Sequence, residues 1–159
     1  MKVLIFDIDN TIIIHTNANN NFYSKNNNST LSNLLSKMKN KKIYIYTNGT
    51  YDHGRLVINN LSMENKIKKI FARDTIPYMK PYNQSFEYVN NTIIKENKTI
   101  DQIIFFDDLK ENLYTAKKFN WTTVLIGIDN KKEPYIDYTF PNIYESIIFF
   151  NRIQPNYNK

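Results

Sequence analysis

The chain opens on Lys2-Val3-Leu4-Ile5-Phe6 and passes without a break into Asp7-Ile8-Asp9-Asn10-Thr11. Four consecutive apolar side chains bounded by charge read as a buried strand. Two carboxylates, two residues apart at its end, can face one small volume. Like charges held together in a pocket are costly unless a cation neutralises them. The pair therefore asks for a divalent metal, and a hard cation such as Mg²⁺ takes carboxylate oxygens and often shares them with phosphate. One carboxylate can then attack phosphorus while the other handles the proton. Asn10 suits a sharp turn out of the strand, because Asn tolerates left-handed backbone. Thr11 offers a hydroxyl and a backbone N–H to a phosphate. An Asp-x-Asp after a strand also occurs as an ordinary solvated loop, so the pair decides nothing alone.

Other elements follow at regular intervals. Leu31, Leu34, Leu35 and Met38 fall at helical spacing and predict an amphipathic helix over 31–40, with Ser29 or Thr30 as its cap. Strands are predicted at 43–46, 67–72, 103–106 and 123–126, with a sixth at 136–140. Helices are predicted over about 52–60, 83–97, 110–119 and 142–150. Residues 12–28, rich in Asn, read as a loop or small flap, and 154–159 as a frayed tail. Strands alternating with helices argue for an α/β fold: a three-layer, Rossmann-like parallel sheet with helices on both faces. Ligands of such sheets bind beyond the carboxyl ends of the strands.

With 159 residues, 42% hydrophobic and 14% aromatic, the chain reads as one globular domain over 1–159. It has no Cys, which excludes disulfides, zinc–thiolate sites and cysteine nucleophiles. No apolar stretch approaches the roughly 20 residues of a membrane span, and the N-terminus enters a strand with no signal segment. A soluble, cytoplasmic protein is expected. The net charge of +6 could mark a nucleic-acid partner. The 18 Lys are scattered, Arg numbers only 3, and Asn (25) and Ile (23) are abundant, so codon bias is the favoured reading.

Four polar clusters stand at predicted strand ends or in the loops beside them. These are Asp7, Asp9 and Thr11; Thr47-Asn48; Lys80-Pro81; and Asp107-Asp108, with Asn112 four residues on. Thr47-Asn48 and Lys80-Pro81 alone are ordinary turn or loop chemistry, whereas acids that end an all-apolar strand are a better signal, because buried charge needs a partner. Together and in this order they resemble the haloacid dehalogenase-like (HAD) superfamily of phosphohydrolases across residues 3–140. Phe6 to Thr11, Tyr46-Thr47-Asn48-Gly49, His53 with Arg55, Lys80-Pro81, Phe106-Asp107-Asp108 and Thr123-Val124-Leu125 look most like the pyrimidine 5′-nucleotidase type. Members of that type remove phosphate from nucleoside monophosphates such as UMP.

The resemblance implies that Asp7 is the nucleophile and that Asp9 protonates the leaving oxygen and then activates water. It implies that Thr11, Thr47, Asn48 and Lys80 bind phosphate, with Lys80 offsetting charge near Asp7. Mg²⁺ would be held by Asp7, the backbone carbonyl of Asp9, Asp107 and Asp108, with Asn112 ordering the acidic loop. The expected function is an Mg²⁺-dependent phosphomonoester hydrolase acting on a small molecule or nucleotide. Neither 12–42 nor 47–80 has room for a cap domain, so a minimal or absent cap is expected. An open site keeps a phosphatase for polynucleotide ends or phosphoproteins as an alternative, and a non-catalytic binding module on the same fold as another. His15 reads as a solvated loop residue, Arg55 as a surface residue and Trp121 as packing. His53 could start a helix and point at substrate, and Tyr78 and Tyr82 could stack on a base or cover the core.

Overall fold

The computed structural model describes residues 1–15, 29–129 and 131–153. The flap expected over 12–28 lies outside them from residue 16 onward, as does the tail 154–159. Six strands form one sheet: β1 (Lys2–Phe6), β2 (Lys41–Tyr46), β3 (Ile67–Phe71), β4 (Gln102–Asp107), β5 (Thr122–Ile126) and β6 (Tyr138–Phe140). Their spatial order is β3-β2-β1-β4-β5-β6, and every pairing is parallel. The helices are α1 (Thr30–Ser36), α2 (Tyr51–Asn60), α3 (Asn83–Glu96), α4 (Lys110–Lys118) and α5 (Ile143–Arg152). This is the Rossmann-like α/β architecture expected from the alternation of elements.

The near-continuous apolar character of β1, β2 and β4 follows from burial on both faces. Leu4, Phe6, Ile43, Ile45, Ile104 and Phe106 turn to one side and pack with α1, α2 and α5 through Leu35, Val57, Ile147 and Phe150. Val3, Ile5, Tyr44, Tyr46 and Phe105 turn to the other and pack with α3 and α4 through Phe86, Val89, Ile93 and Leu113. Phe6 and Phe106 stack across the β1–β4 pair at 4.7 Å. Trp121 is buried in the second core, as expected. Each fully buried large side chain contributes roughly 1.5–3 kcal/mol. Gly54 permits α2 to lie close on the sheet, since a Cβ there would meet Ile70 at 3.3 Å and Ile8 at 3.4 Å.

Several boundaries differ from the sequence reading, three of them for a visible local reason. Helix α1 stops at Ser36, because the N–H groups of Lys37 and Met38 bond three residues back, to Leu34 and Leu35, and tighten the last turn. Met38 is still buried, and Asn40, in left-handed backbone, turns the chain into β2. Strand β2 begins at Lys41 because the Lys41 and Lys42 backbones pair with Lys2 and Val3, whatever their side chains. Strand β6 is shorter than 136–140, because Asp137 lies outside it and its carboxylate takes the Thr123 N–H at 2.9 Å. Ser29 precedes α1, but its side chain makes no capping bond.

The chain builds β1, β2 and β3 outward on one side, then crosses back to place β4 against the other edge of β1. The direction of winding therefore reverses between β1 and β4, where open parallel sheets form a crevice at their carboxyl ends. Asp7 follows β1 and Asp107 ends β4, and the register Phe6↔Phe106 sets them side by side. The Asp7 N–H bonds Phe106 O at 3.0 Å.

Candidate active site

Strand parity decides where the acids point. Asp7 shares the parity of Val3 and Ile5, and Asp107 that of Phe105, so both project toward the α3/α4 side. The loop before α3 brings Lys80 to them. Its ammonium lies 2.9 Å from Asp7 Oδ1 and 2.7 Å from Asp107 Oδ2, with side chains 2%, 10% and 0% exposed respectively. Beneath it are the rings of Tyr46 at 5.2 Å and Phe105 at 5.4 Å, a stacking that favours a cation.

Lys80 is held from two sides. Asn48 Nδ2 donates to Lys80 O and Lys80 N donates to Asn48 Oδ1, both at 2.9 Å. The Asn48 amide, expected beside phosphate, is thereby committed to the Lys80 backbone. The next residue, Pro81, follows a cis bond, and its carbonyl accepts from Thr115 Oγ1 of α4 at 2.9 Å. Asn48→Ala removes the reciprocal pair. We expect it to cost about 1–2 kcal/mol in denaturant unfolding and to reduce turnover further, because Lys80 loses its fixed height above the carboxylates.

Asp7 has a second donor, Thr11 Oγ1, at 3.1 Å from Oδ2. The Thr11 N–H bonds Ile8 O at 3.2 Å, so both Thr11 donors support the turn and Asp7. Asn10 adopts φ 61°, the left-handed turn its type favours. Asp107 accepts from the Leu109 N–H at 2.9 Å and from Asn112 Nδ2 at 3.0 Å to each oxygen. Asn112 thus orders the acidic loop from α4, and its buried Oδ1 has no partner. Thr47 is buried, and its Oγ1 accepts from the Gly49 N–H at 3.0 Å.

Asp9 stands apart from this buried group, with its side chain 37% exposed. Two imidazoles reach one of its oxygens: His15 Nε2 is 2.7 Å and His53 Nε2 3.0 Å from Oδ1. Neither contact follows from the sequence, because each depends on where the chain returns. The one available signal is that His53 falls in the first turn of α2, directly after the β2 cluster. Arg55 pairs with Asp52 on the surface. Tyr78 and Tyr82 are exposed and do not cover the core.

The electrostatics favour a cation. Asp7, Asp107 and Asp108 each offer a carboxylate oxygen within 4.8 Å of the others. Three carboxylates around one ammonium leave two negative charges uncompensated, the charge of one divalent ion. Burial pushes the Asp107 carboxyl up to about 7, aided by the Asp7 charge and opposed by Lys80. Burial and the Asp7 charge also raise Asp108. Burial works to lower the Lys80 ammonium, but Asp107 and Asp7 outweigh it and hold Lys80 above its ordinary value. A hard cation with oxygen ligands fits this all-carboxylate set.

Residues 2–124 match the family of NLI interacting factor-like phosphatases. The chain belongs to that family. That places it in the HAD-like superfamily. Solved structures agree on the fold. L-2-haloacid dehalogenase from Xanthobacter autotrophicus superposes with a TM-score of 0.61 at 13% identity, covering 77% of this chain and 60% of the dehalogenase. The HAD-hydrolase YfnB from Bacillus subtilis, solved bound to magnesium, gives 0.61 at 20% identity, with 78% and 54% covered. An uncharacterized protein from Listeria monocytogenes serotype 4b gives 0.63 at 14%, covering 96% of this chain and 100% of its own. The chain thus spans just over half the length of the dehalogenase and of the magnesium-bound hydrolase. No curated protein matches it in sequence. Among its described residues no helix is long and apolar enough to cross a membrane.

Proposed function

We propose that this protein is an Mg²⁺-dependent phosphomonoester hydrolase that works through an aspartyl-phosphate on Asp7. The observation that carries the reading is the buried arrangement of Asp7 and Asp107 about Lys80, with Asp108 alongside. Asp7, Asp107, Asp108 and the backbone carbonyl of Asp9 would hold the ion. When bound, it supplies positive charge against the phosphate oxygens and relieves the mutual repulsion of the acids. Phosphoryl transfer needs positioning and charge neutralisation above all, and the rest falls to the chain's own side chains.

In this reading Asp7 attacks phosphorus, and the bond to the leaving oxygen breaks with its electron pair. Asp9 gives that oxygen a proton. Water then attacks the aspartyl-phosphate, Asp9 takes its proton back, and the Asp7–phosphorus bond breaks to regenerate the carboxylate. Lys80, 2.9 Å from Asp7 Oδ1, holds Asp7 in line. The Thr47 hydroxyl, which already accepts from the Gly49 N–H, has its own proton to give to a phosphate oxygen. An acid at position 9 provides the general acid and base that complete hydrolysis require.

The first substrate reading is a small phosphomonoester such as a nucleoside monophosphate, on the motif resemblance. A second has its own support: between Thr47 and Lys80 the chain forms only α2, β3 and short loops, with no cap. Tyr78, Met79 and Tyr82 are exposed beside Lys80. A site without a cap among the described residues accepts a phosphate carried on a protein or a polynucleotide end.

Phosphate release from nucleoside monophosphates, sugar phosphates, phosphopeptides and 3′- or 5′-phosphorylated oligonucleotides, with Mg²⁺ or with chelator, tests both readings. Turnover that requires Mg²⁺ is expected, and the preferred class chooses between them. Turnover unaffected by chelator would overturn the metal assignment. No release from any class or from an aryl phosphate would overturn the hydrolase reading.

A further inference from the structure

We infer that His15 and His53 are positioning residues for Asp9, and that together they confine its transferable proton to Oδ2. The inference rests on the reading of Asp9 as the general acid and base. Both imidazoles bond the same oxygen, Oδ1, at 2.7 and 3.0 Å. When Asp9 is a carboxylate its Oδ1 only accepts, and each ring then bonds it through a proton on Nε2. With two N–H groups on Oδ1, a proton added to Asp9 goes to Oδ2.

Oδ2 is also the oxygen on the Thr47 side. It lies 3.8 Å from the point a Cβ on Gly49 would occupy, in the gap beside Thr47. That same Cβ would meet His53 at 3.0 Å and Thr47 Oγ1 at 3.2 Å, so a glycine at 49 keeps the clamp and the gap together.

The two histidines come from different elements and are separately anchored. The His53 N–H bonds Thr50 Oγ1 at the start of α2, at 3.3 Å. The His15 N–H bonds Asn10 Oδ1 at 3.0 Å, which ties His15 to the turn that carries Asp9. A carboxylate with its side chain 37% exposed would otherwise sample several rotamers. A proton donor misplaced by an ångström loses much of its advantage. The clamp fixes one rotamer and leaves one oxygen to exchange the proton. In the first half-reaction the Oδ2–H bond breaks and the proton joins the departing oxygen. In the second, Oδ2 accepts a proton from the attacking water. Oδ1 stays on the two imidazoles throughout.

The test exploits the leaving group. An aryl phosphate with an acidic phenol departs without much help from a proton, whereas an alkyl phosphate needs one. With Mg²⁺ present, kcat/KM is measured on p-nitrophenyl phosphate and on glycerol phosphate for wild type, His15→Ala, His53→Ala, the double variant, and His15→Gln and His53→Gln. We expect the alkyl-to-aryl ratio to fall about 10-fold in each Ala variant and about 100-fold in the double variant, within the range a general acid supplies. Gln presents an N–H at a similar reach and should restore most of the ratio, which a purely structural role would not produce. Asp9→Asn serves as the control for the underlying reading. If Asp9→Asn leaves the ratio at the wild-type value, Asp9 is not the acid and both readings fall. If Asp9→Asn lowers the ratio but the Ala variants do not, or lose both substrates equally, the clamp alone is overturned.

Discussion

Asp7→Asn will abolish phosphate release, by at least about 10⁴-fold, while leaving the protein folded. The magnitude is that of removing a covalent nucleophile, which closes the main route and leaves only binding and electrostatic stabilisation. The fold should survive because Asn keeps the shape of Asp: its oxygen can still accept from Lys80, which bonds Asp7 Oδ1 at 2.9 Å, and its amide N–H can donate to the Thr11 hydroxyl, which bonds Oδ2 at 3.1 Å. The electrostatics go further. Asp7 is one of the charges that raise Asp107 and Asp108, so neutralising it relieves repulsion in the metal-free protein. Its unfolding midpoint without metal should equal or exceed that of wild type. Acid-quenched wild type should carry a phosphoryl group on Asp7, and the variant none. Residual turnover within tenfold of wild type, or a phosphoryl group trapped on another residue, would remove Asp7 from the mechanism.

The parts of the site that could be read in advance end strands. Asp7 and Asp107 each follow a run of apolar residues, and a charge at the end of such a run must emerge at the sheet's edge. The parallel fold then places both at one edge, and the register Phe6↔Phe106 makes them neighbours. Lys80 was legible as a charge beside a proline, but its seat between the two acids depends on a loop clipped by Asn48 and Thr115. Nothing local in Tyr78-Met79-Lys80-Pro81 encodes that seat. Thr11 and Asn48 show the reverse. Their types suit phosphate, yet their hydrogen bonds run to Asp7 and to the Lys80 backbone, because a buried carboxylate and a buried loop need those donors. The two histidines on Asp9 were the least legible, since the contacts join residues 6 and 44 positions apart. Pattern reading also overextended α1, where Met38 continues the apolar period after the helix has tightened and ended. A hydrophobic period reports which side chains face the core, and that requirement outlasts the helix by one turn.

Lys80→Met should produce the largest loss of stability of any single substitution at the site, about 3–5 kcal/mol in the metal-free protein. Met has nearly the length of Lys and can lie on the Tyr46 and Phe105 rings, so the cost is mainly that of two buried carboxylates left without their cation. The pH dependence identifies the cause. Burial pushes the Asp107 carboxyl up to about 7 in the folded chain, from the ordinary 3.8. Between those values the folded state binds more protons than the unfolded state, so this group makes stability fall as pH rises from about 4 to about 7. Removing Lys80 takes away the one charge that opposes the upward shift. The fall should then steepen and reach to higher pH, leaving the variant closest to wild type near pH 4 and furthest from it near pH 8. Mg²⁺ should recover part of the deficit at pH 8 and little at pH 5, because a metal binds the ionised acids in competition with protons. Urea unfolding at pH 5 and pH 8, with and without Mg²⁺, reads all four corners. A deficit independent of pH would mean that Lys80 holds the loop by packing and that its charge is incidental to the fold.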